Sequence, residues 1–257
     1  MSNASDVKWA PPPRYLMRAA LVEKLVKQLR PTRVLEVGPA TGDMVRRILR
    51  PEMQVTACEI SETAHEILRR RFAGNRQVRV RLGDFAELDG PFDLIMCFAV
   101  LEHIPDDRGA MRRWCELLEP GGHVLLSVPS REKLWTKADE VSGHLRRYER
   151  AGLGEMTRAC GFEIIHLWSY GFPLTRLTAP FNTFVTLRSM PGKADTAEGL
   201  TKESGVDRTV AYRLRFLLNA WTLAPFVHLQ KLFLNRDWGN GYLLLARKPA
   251  AENDNAR

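Results

Sequence analysis

Val34-Leu35-Glu36-Val37-Gly38-Pro39-Ala40-Thr41-Gly42 decides how this 257-residue chain is read. An apolar strand carries an acidic residue near its end and runs into a glycine-bracketed turn, after which a helix begins. Glycines there let backbone N–H groups approach a ligand closely, and a helix N-terminus offers further donors. Glu36 narrows the ligand. A carboxylate at this point repels a pyrophosphate but suits a zwitterion that carries an ammonium group.

The neighbouring segments repeat the design. Gln54 to Cys58 reads as a second strand, and the chain continues into Glu59-Ile60. Glu59 lies 21 residues after Gly38, about the spacing at which an acidic residue meets ribose hydroxyls in nucleotide-binding folds. A third strand, Val78 to Leu82, leads into Gly83-Asp84-Phe85, a carboxylate for an adenine amino group and a ring for its face. A dinucleotide-binding dehydrogenase would instead want G-x-G-x-x-G and no acid at Glu36.

Further along, Phe92 to Phe98 is apolar but for Asp93, as in a strand buried on both faces. His123 to Val128, Phe162 to Ser169 and Gly239 to Arg247 complete seven strands. Helical spacing appears over Arg14–Leu29, Gly42–Leu49, Asp107–Leu118 and Arg150–Cys160, and from Ser61, an N-cap, to about Phe72. Strands alternating with helices predict an α/β, doubly wound, parallel sheet whose strand-to-helix loops share one edge.

With these strand ends go Phe92-Asp93-Leu94-Ile95-Met96-Cys97, Val100-Leu101-Glu102-His103-Ile104 and Leu118-Glu119-Pro120-Gly121-Gly122. In this combination the chain resembles the class I S-adenosylmethionine (SAM)-dependent methyltransferases, in the group that includes the ubiquinone-biosynthesis O-methyltransferases. The resemblance covers roughly residues 14–170 and the final strand. It implies a Rossmann-like, mostly parallel, seven-stranded sheet with the last strand antiparallel, SAM as cofactor and no metal. It also implies that Glu36, Gly38, Pro39, Ala40 and Gly42 lie at the methionine part of SAM, with Glu59 and Ile60 at the ribose. Asp84 and Phe85 would meet the adenine, the backbone around Phe98 the amino-acid end, and Arg14 would close over the cofactor. Ala40 stands where relatives commonly have a glycine.

Methyl transfer from a sulfonium is an in-line displacement that needs positioning and exclusion of water, and a base only if the acceptor must lose a proton. His103, after the fourth strand, is the first candidate base; the alternative is a capping or supporting histidine. His144-Leu145-Arg146-Arg147-Tyr148 admits two readings. In one, Tyr148 packs and the arginines are solvated or bind acidic neighbours. In the other, His144 and Tyr148 face the acceptor and Arg147 binds an anionic substrate group.

Composition excludes little else. The chain is 45% hydrophobic and 26% charged, with a net charge of +8 that sits mostly beyond residue 130. Four dispersed cysteines suggest neither a disulfide scaffold nor a zinc site, and a reducing cytoplasm is the expected location. The fourth strand lacks the Asn/Asp-Pro-Pro-Tyr type of ending used on nucleic-acid bases, so nucleic acid is disfavoured as a substrate. The expected organisation is an arm (1–30), a core (31–170), a helical cap (171–237), a final core strand (238–248) and a tail (249–257). Phe172, Phe181, Phe184, Trp221, Phe226 and Phe233 make the cap apolar and aromatic, with a net charge of +5 between Pro173 and Arg236. Such a cap fits a small-molecule or lipid-like methyl acceptor, with peripheral membrane contact. Its plainer use is to pack on the core or against a second subunit in a homodimer. Protein or RNA methylation, or a SAM-binding interaction module without turnover, are the competing functions.

Overall fold

In the computed structural model, residues 11–178 and 220–250 are described. Of the cap, Phe181, Phe184 and the polar stretch 191–206 lie outside them, as does much of the apolar stretch that ends at Leu234.

The strands are β1 (Arg33–Val37), β2 (Gln54–Glu59), β3 (Val78–Leu82), β4 (Phe92–Phe98), β5 (Leu118–Pro129), β6 (Glu163–Tyr170) and β7 (Gly241–Arg247). They form one seven-stranded sheet in the order β3-β2-β1-β4-β5-β7-β6. The five strands from β3 to β5 pair in parallel, and β7 runs antiparallel between β5 and β6. The crossovers put every parallel strand's carboxyl end on one edge, at which β6 also ends and β7 begins.

The helices are α1 (Pro13–Leu29), α2 (Asp43–Ile48), α3 (Glu62–Arg71), α4 (Asp107–Leu117), α5 (Lys137–Val141), α6 (Arg150–Ala159) and α7 (Ala220–Leu229). Alternate residues of a strand point to opposite faces, and β4 divides accordingly. Leu94, Met96 and Phe98 join a cluster with residues of α1, α2 and α3. Ile95 and Cys97 join one with Met111, Trp114 and Leu117 of α4 and Leu153 and Met156 of α6; Phe92 joins it too, out of the alternation, where the register with β5 shifts. Because both faces are covered, Leu94 to Phe98 reads as an unbroken apolar run. Cys58 of β2 and Cys97 of β4 are buried free thiols.

Helix starts follow local chemistry. Ser61 caps α3 by accepting from the Ala64 N–H at 3.4 Å, and Asp106 caps α4 by accepting from Gly109 at 2.8 Å. The fifth strand begins five residues earlier than its sequence suggested, at Leu118 rather than His123. Leu118 faces Phe92 and His123 faces Leu94, so Glu119–Gly122 form a bulge opposite Asp93. Gly121, at φ 81°, and Gly122 keep the bulge on the sheet by exchanging backbone hydrogen bonds with Lys248 at 3.0 and 2.8 Å.

Of the cap, α7 docks on the start of the chain. Leu223 packs with Leu16, Met17 and Leu174. The buried side chain of Gln230 donates to the Met17 carbonyl (2.9 Å) and accepts from the Gly171 N–H (3.1 Å).

Candidate cofactor and acceptor site

The turn after β1 is built from inside. Gly38 N–H donates to the Cys58 carbonyl at 2.9 Å and Gly42 N–H to the Pro39 carbonyl at 2.8 Å. Gly38 and Gly42 stand at φ 65° and 71°, where a side chain is strained. A Cβ would also come within 2.5 Å of Val100 at Gly38, and within 2.7 Å of Leu68 and Phe72 at Gly42. These glycines therefore serve close packing inside the chain as well as backbone conformation. Ala40 holds φ 50°, so the turn keeps its left-handed step without the usual glycine.

The end of β2 is tied to the same turn. Glu59 accepts from Ala40 N–H through Oε2 and from Ser61 N–H through Oε1, both at 3.0 Å. Burial raises its pKa, opposed by those backbone donors.

Between the turn and α1 lies a cavity bordered by Tyr15, Arg18, Glu36, Gly38–Thr41, Asp43, Met44 and Phe98. Glu36 is buried and its Oε2 has no hydrogen-bond partner among the described residues. Desolvation pushes its pKa up to about 8, against the pull of the Arg18 guanidinium. Arg18 is held by Ser127, Nη1 to Oγ at 2.9 Å, and by ring contacts to Phe98 and Tyr15 at 5.0 and 5.4 Å, while its buried Nε is unpartnered. The Tyr15 hydroxyl donates to Asp43 at 2.6 Å. A second cavity of about 270 Å³, between Thr56, Arg79 and Phe92, shares none of these residues.

Of the residues expected at a cofactor, Glu36, Gly38, Pro39, Ala40 and Phe98 border this cavity. Gly42 caps α2 beside it. Glu59, Ile60, Asp84 and Phe85 lie on the neighbouring strand ends. Ile60 is 51% exposed. The exposed Asp84 accepts from Ala86 N–H at 2.9 Å, and Phe85 leans on Trp114 at 5.6 Å. Arg14 sits apart, with Nε 3.3 Å from the hydroxyl of buried Tyr170. The arginine in the cavity wall is Arg18, one helical turn on. Neither Tyr15 nor Arg18 was singled out by sequence; the one available signal was that both share the leading helix with Arg14.

A second cluster follows β4. His103 and His144 meet edge to face, 4.9 Å between ring centroids. His103 Nδ1 lies 3.0 Å from the Gly143 carbonyl, and burial lowers its pKa. His144 Nδ1 lies 2.8 Å from Asp139, and Arg147 takes both oxygens of the same carboxylate through Nε and Nη2 at 2.9 and 2.8 Å. Burial works against the Asp139 charge, but His144 and Arg147 outweigh it and hold the carboxyl below the usual range. Tyr148 is buried, its hydroxyl 2.9 Å from Asp107 and 3.3 Å from the Leu101 carbonyl, with its pKa raised by burial and by Asp107. Glu102, not singled out by sequence, is the most deeply buried acid here.

Comparison with known proteins agrees with this geometry. The methyltransferase-domain family matches residues 13–167. A ubiquinone biosynthesis O-methyltransferase from Alkalilimnicola ehrlichii is 30% identical over 122 residues, 45% of this chain and 49% of that protein. A ribosomal RNA small subunit methyltransferase A from Synechococcus is 41% identical over 76 residues, 30% of this chain and 27% of that protein. The chain thus aligns with about half the length, or less, of these curated relatives. Among solved structures, the [4+2]-cyclase SpnF superposes with a TM-score of 0.60 at 21% identity, covering 95% of this chain and 85% of that one. An S-adenosylmethionine-dependent methyltransferase from Clostridium acetobutylicum gives 0.51 at 14% identity, covering 60% and 83%. The order of the strands, the turn after β1 and the family match agree: the chain belongs to the class I SAM-dependent methyltransferases.

Proposed function

We propose that the protein transfers a methyl group from SAM to an oxygen of a small-molecule or lipid-like acceptor. One observation carries the cofactor half: the cavity beside the turn holds a buried carboxyl group, Glu36, and a half-buried guanidinium, Arg18, each with a buried atom unpartnered among the described residues. The methionine end of SAM is a zwitterion, and its ammonium and carboxylate match that pair. Glu59 would take the ribose hydroxyls, with Ile60 beside them, while Asp84 and Phe85 would take the adenine. Gly38, Pro39, Ala40 and Gly42 would line the path of the backbone, and Phe98 the amino-acid end. SAM supplies an electrophilic methyl on a sulfonium; the chain's own task is to hold an acceptor in line and keep water out.

For the acceptor, His103 and His144 form the polar end of the site. An acceptor hydroxyl loses its proton as it gains the methyl group, and these imidazoles are the groups placed to assist. Arg147 supports His144 through Asp139, and Tyr148, bonded to the Leu101 carbonyl, steadies the turn that carries His103. Arg14 would guard the side of the cavity towards Tyr170. The apolar end is the cap, where Phe172 and Phe233 meet edge to face at 5.0 Å, Trp238 just beyond it packs on both at 5.2 and 5.5 Å, and Leu177 and Leu232 stand about three-quarters exposed. No helix among the described residues is long and apolar enough to cross a membrane. The membrane contact read here is peripheral, through those exposed side chains, and a homodimer would use the same ones.

Titration calorimetry with SAM and with its demethylated product tests the first half. Micromolar binding supports it, and absence of binding of both removes it. Co-sedimentation with phosphatidylglycerol vesicles tests the membrane contact, which is abandoned if the protein stays in the supernatant. One second reading is a SAM-binding protein that does not transfer methyl groups. Binding without methylation of any hydroxylated acceptor would select it.

A further inference from the structure

Arg14 and Arg18 stand one helical turn apart on the same side of α1. Like charges at this spacing repel, and a partly buried charge is costly unless something pairs with it. Neither guanidinium meets a carboxylate among the described residues. The arginines of the histidine cluster, in contrast, are matched. Arg146 lies 2.8 Å from Asp107 and Arg147 lies 2.8 Å from Asp139, with Arg147 Nη1 on the Ser130 carbonyl at 3.2 Å. Arg147, the candidate for an anionic substrate group, thus has every nitrogen committed.

Arg14 is held in place without being used up. Its Nε donates to the hydroxyl of the fully buried Tyr170 at 3.3 Å. That contact takes one N–H of the guanidinium fork and leaves those on Nη1 and Nη2 without a partner among the described residues, still open to solvent. Burial works against the Arg14 charge, but Tyr170, Glu102 and Asp139 outweigh it and raise its pKa. Arg14 therefore stands within electrostatic reach of the histidine cluster, to which both acids belong. Glu102 is 1% exposed, and no donor among the described residues reaches either of its oxygens. Arg18 walls the donor cavity, but Arg14 does not border it. An open acid beside the imidazoles and an open guanidinium on α1 set a polarity across the acceptor's side of the site: a hydroxyl suits one end and an anion the other.

We propose that the methyl acceptor carries an oxyanion, a carboxylate or a phosphate, which Arg14 binds through Nη1 and Nη2. The planar guanidinium presents paired N–H groups to two oxygens of such a group, which a lysine cannot do. The acceptor class narrows accordingly to hydroxy acids and hydroxylated phosphate esters. Gripped by its anion, the acceptor would be turned with its hydroxyl towards His103 and His144, which is the alignment that an in-line displacement needs. A neutral acceptor would leave the guanidinium unpaired and partly desolvated, so Arg14 selects against it. This role for Arg14 rests on the methyl-transfer reading above, since that reading puts the acceptor beside the two imidazoles.

The test uses full-length protein saturated with the demethylated cofactor product, so that Arg18 is already occupied. The probes, read by fluorine NMR, are 4-fluorobenzoate, 4-fluorophenyl phosphate and the neutral 4-fluorobenzyl alcohol. At least one anion should bind about 10-fold more tightly than the alcohol, and the tighter of the two tells carboxylate from phosphate. Arg14→Gln, with an unchanged far-ultraviolet circular dichroism spectrum, should lose that preference. Anions that bind no more tightly than the alcohol overturn the proposal, and so does a preference that survives Arg14→Gln. If Arg14→Gln fails to fold, phenylglyoxal labelling of the parent protein, mapped by peptide mass spectrometry, decides instead. Arg14 shielded by an anion and not by the alcohol supports the site, and equal labelling overturns it. Failure of the product to bind would sink the proposed function and the oxyanion site together, whereas product binding without a preference for anions sinks only the latter.

Discussion

The Ala40 N–H donates to Glu59 Oε2 at 3.0 Å, so the turn after β1 and the end of β2 are joined by a side chain rather than by the sheet alone. Since Ser61 N–H donates to the other oxygen, the carboxylate is fixed before any ligand arrives. Hydrogen bonds to charged groups contribute about 1.5–3 kcal/mol each. Glu59→Ala should weaken SAM binding by roughly 10-fold to 100-fold, the equivalent of about 1.4–2.8 kcal/mol. Calorimetry at constant pH measures it, and an unchanged affinity removes Glu59 from the site.

Glu36 makes a signed prediction about pH. Its folded pKa, about 8, lies above the ordinary 4.5 because burial disfavours the charge. Between those values the folded chain holds more protons than the unfolded one, so this group's contribution to stability falls as pH rises, by up to about 1.4 kcal/mol per pH unit. Glu36→Gln should abolish that slope and be more stable than the parent at pH 9. A cofactor ammonium needs the carboxylate charged, so binding at pH 7 should release a proton. Calorimetry in buffers of different ionisation enthalpy reads the release directly.

Trp114 is fully buried against α4's neighbours and Phe85, and its indole Nε1 has no partner among the described residues. Trp114→Ala should cost about 3–5 kcal/mol. Trp114→Phe keeps much of the volume and removes a buried unsatisfied donor, so it should cost far less. Thermal melts of the two variants give the comparison, and equal losses would contradict the packing described.

Asp139 accepts from Thr136, His144 and Arg147 at once. Removing one partner of such a buried cluster costs about 3–5 kcal/mol, the loss expected for Asp139→Ala in urea unfolding. Because its folded pKa is lowered below 3.8, the stability it contributes is present above that value and lost as pH falls below it. The variant should therefore lack part of the parent's acid-induced destabilisation.

The sheet was legible because its signals are local. The apolar run of β4, the Ser61 cap and the spacing of α1 each depend on residues within a few positions. The start of β5 was not, since Pro120-Gly121-Gly122 punctuates like a turn and only the pairing of Leu118 with Phe92 and of His123 with Leu94 shows it to be a bulge. Helix α5, five residues long, is too short to display a period. At the site, the acids on the strand ends could be read from position, because the fold fixes where strand ends go. Arg18 could not be preferred to Arg14 without knowing which side of α1 faces the turn. Glu102 stood inside a recognised motif, but its isolation from donors is a property of the fold around it.

Gln230 spans the docking of α7 on α1, reaching Met17 from a position 213 residues later in the chain. Tyr15 and Arg18, which wall the cavity, flank Met17 on that helix. If the cap selects the acceptor and the cavity holds SAM, as proposed, selection acting on the cap also acts on the wall of the donor pocket. Variants evolved for new acceptors should carry altered cofactor affinity as a by-product, and compensating changes should collect along α1.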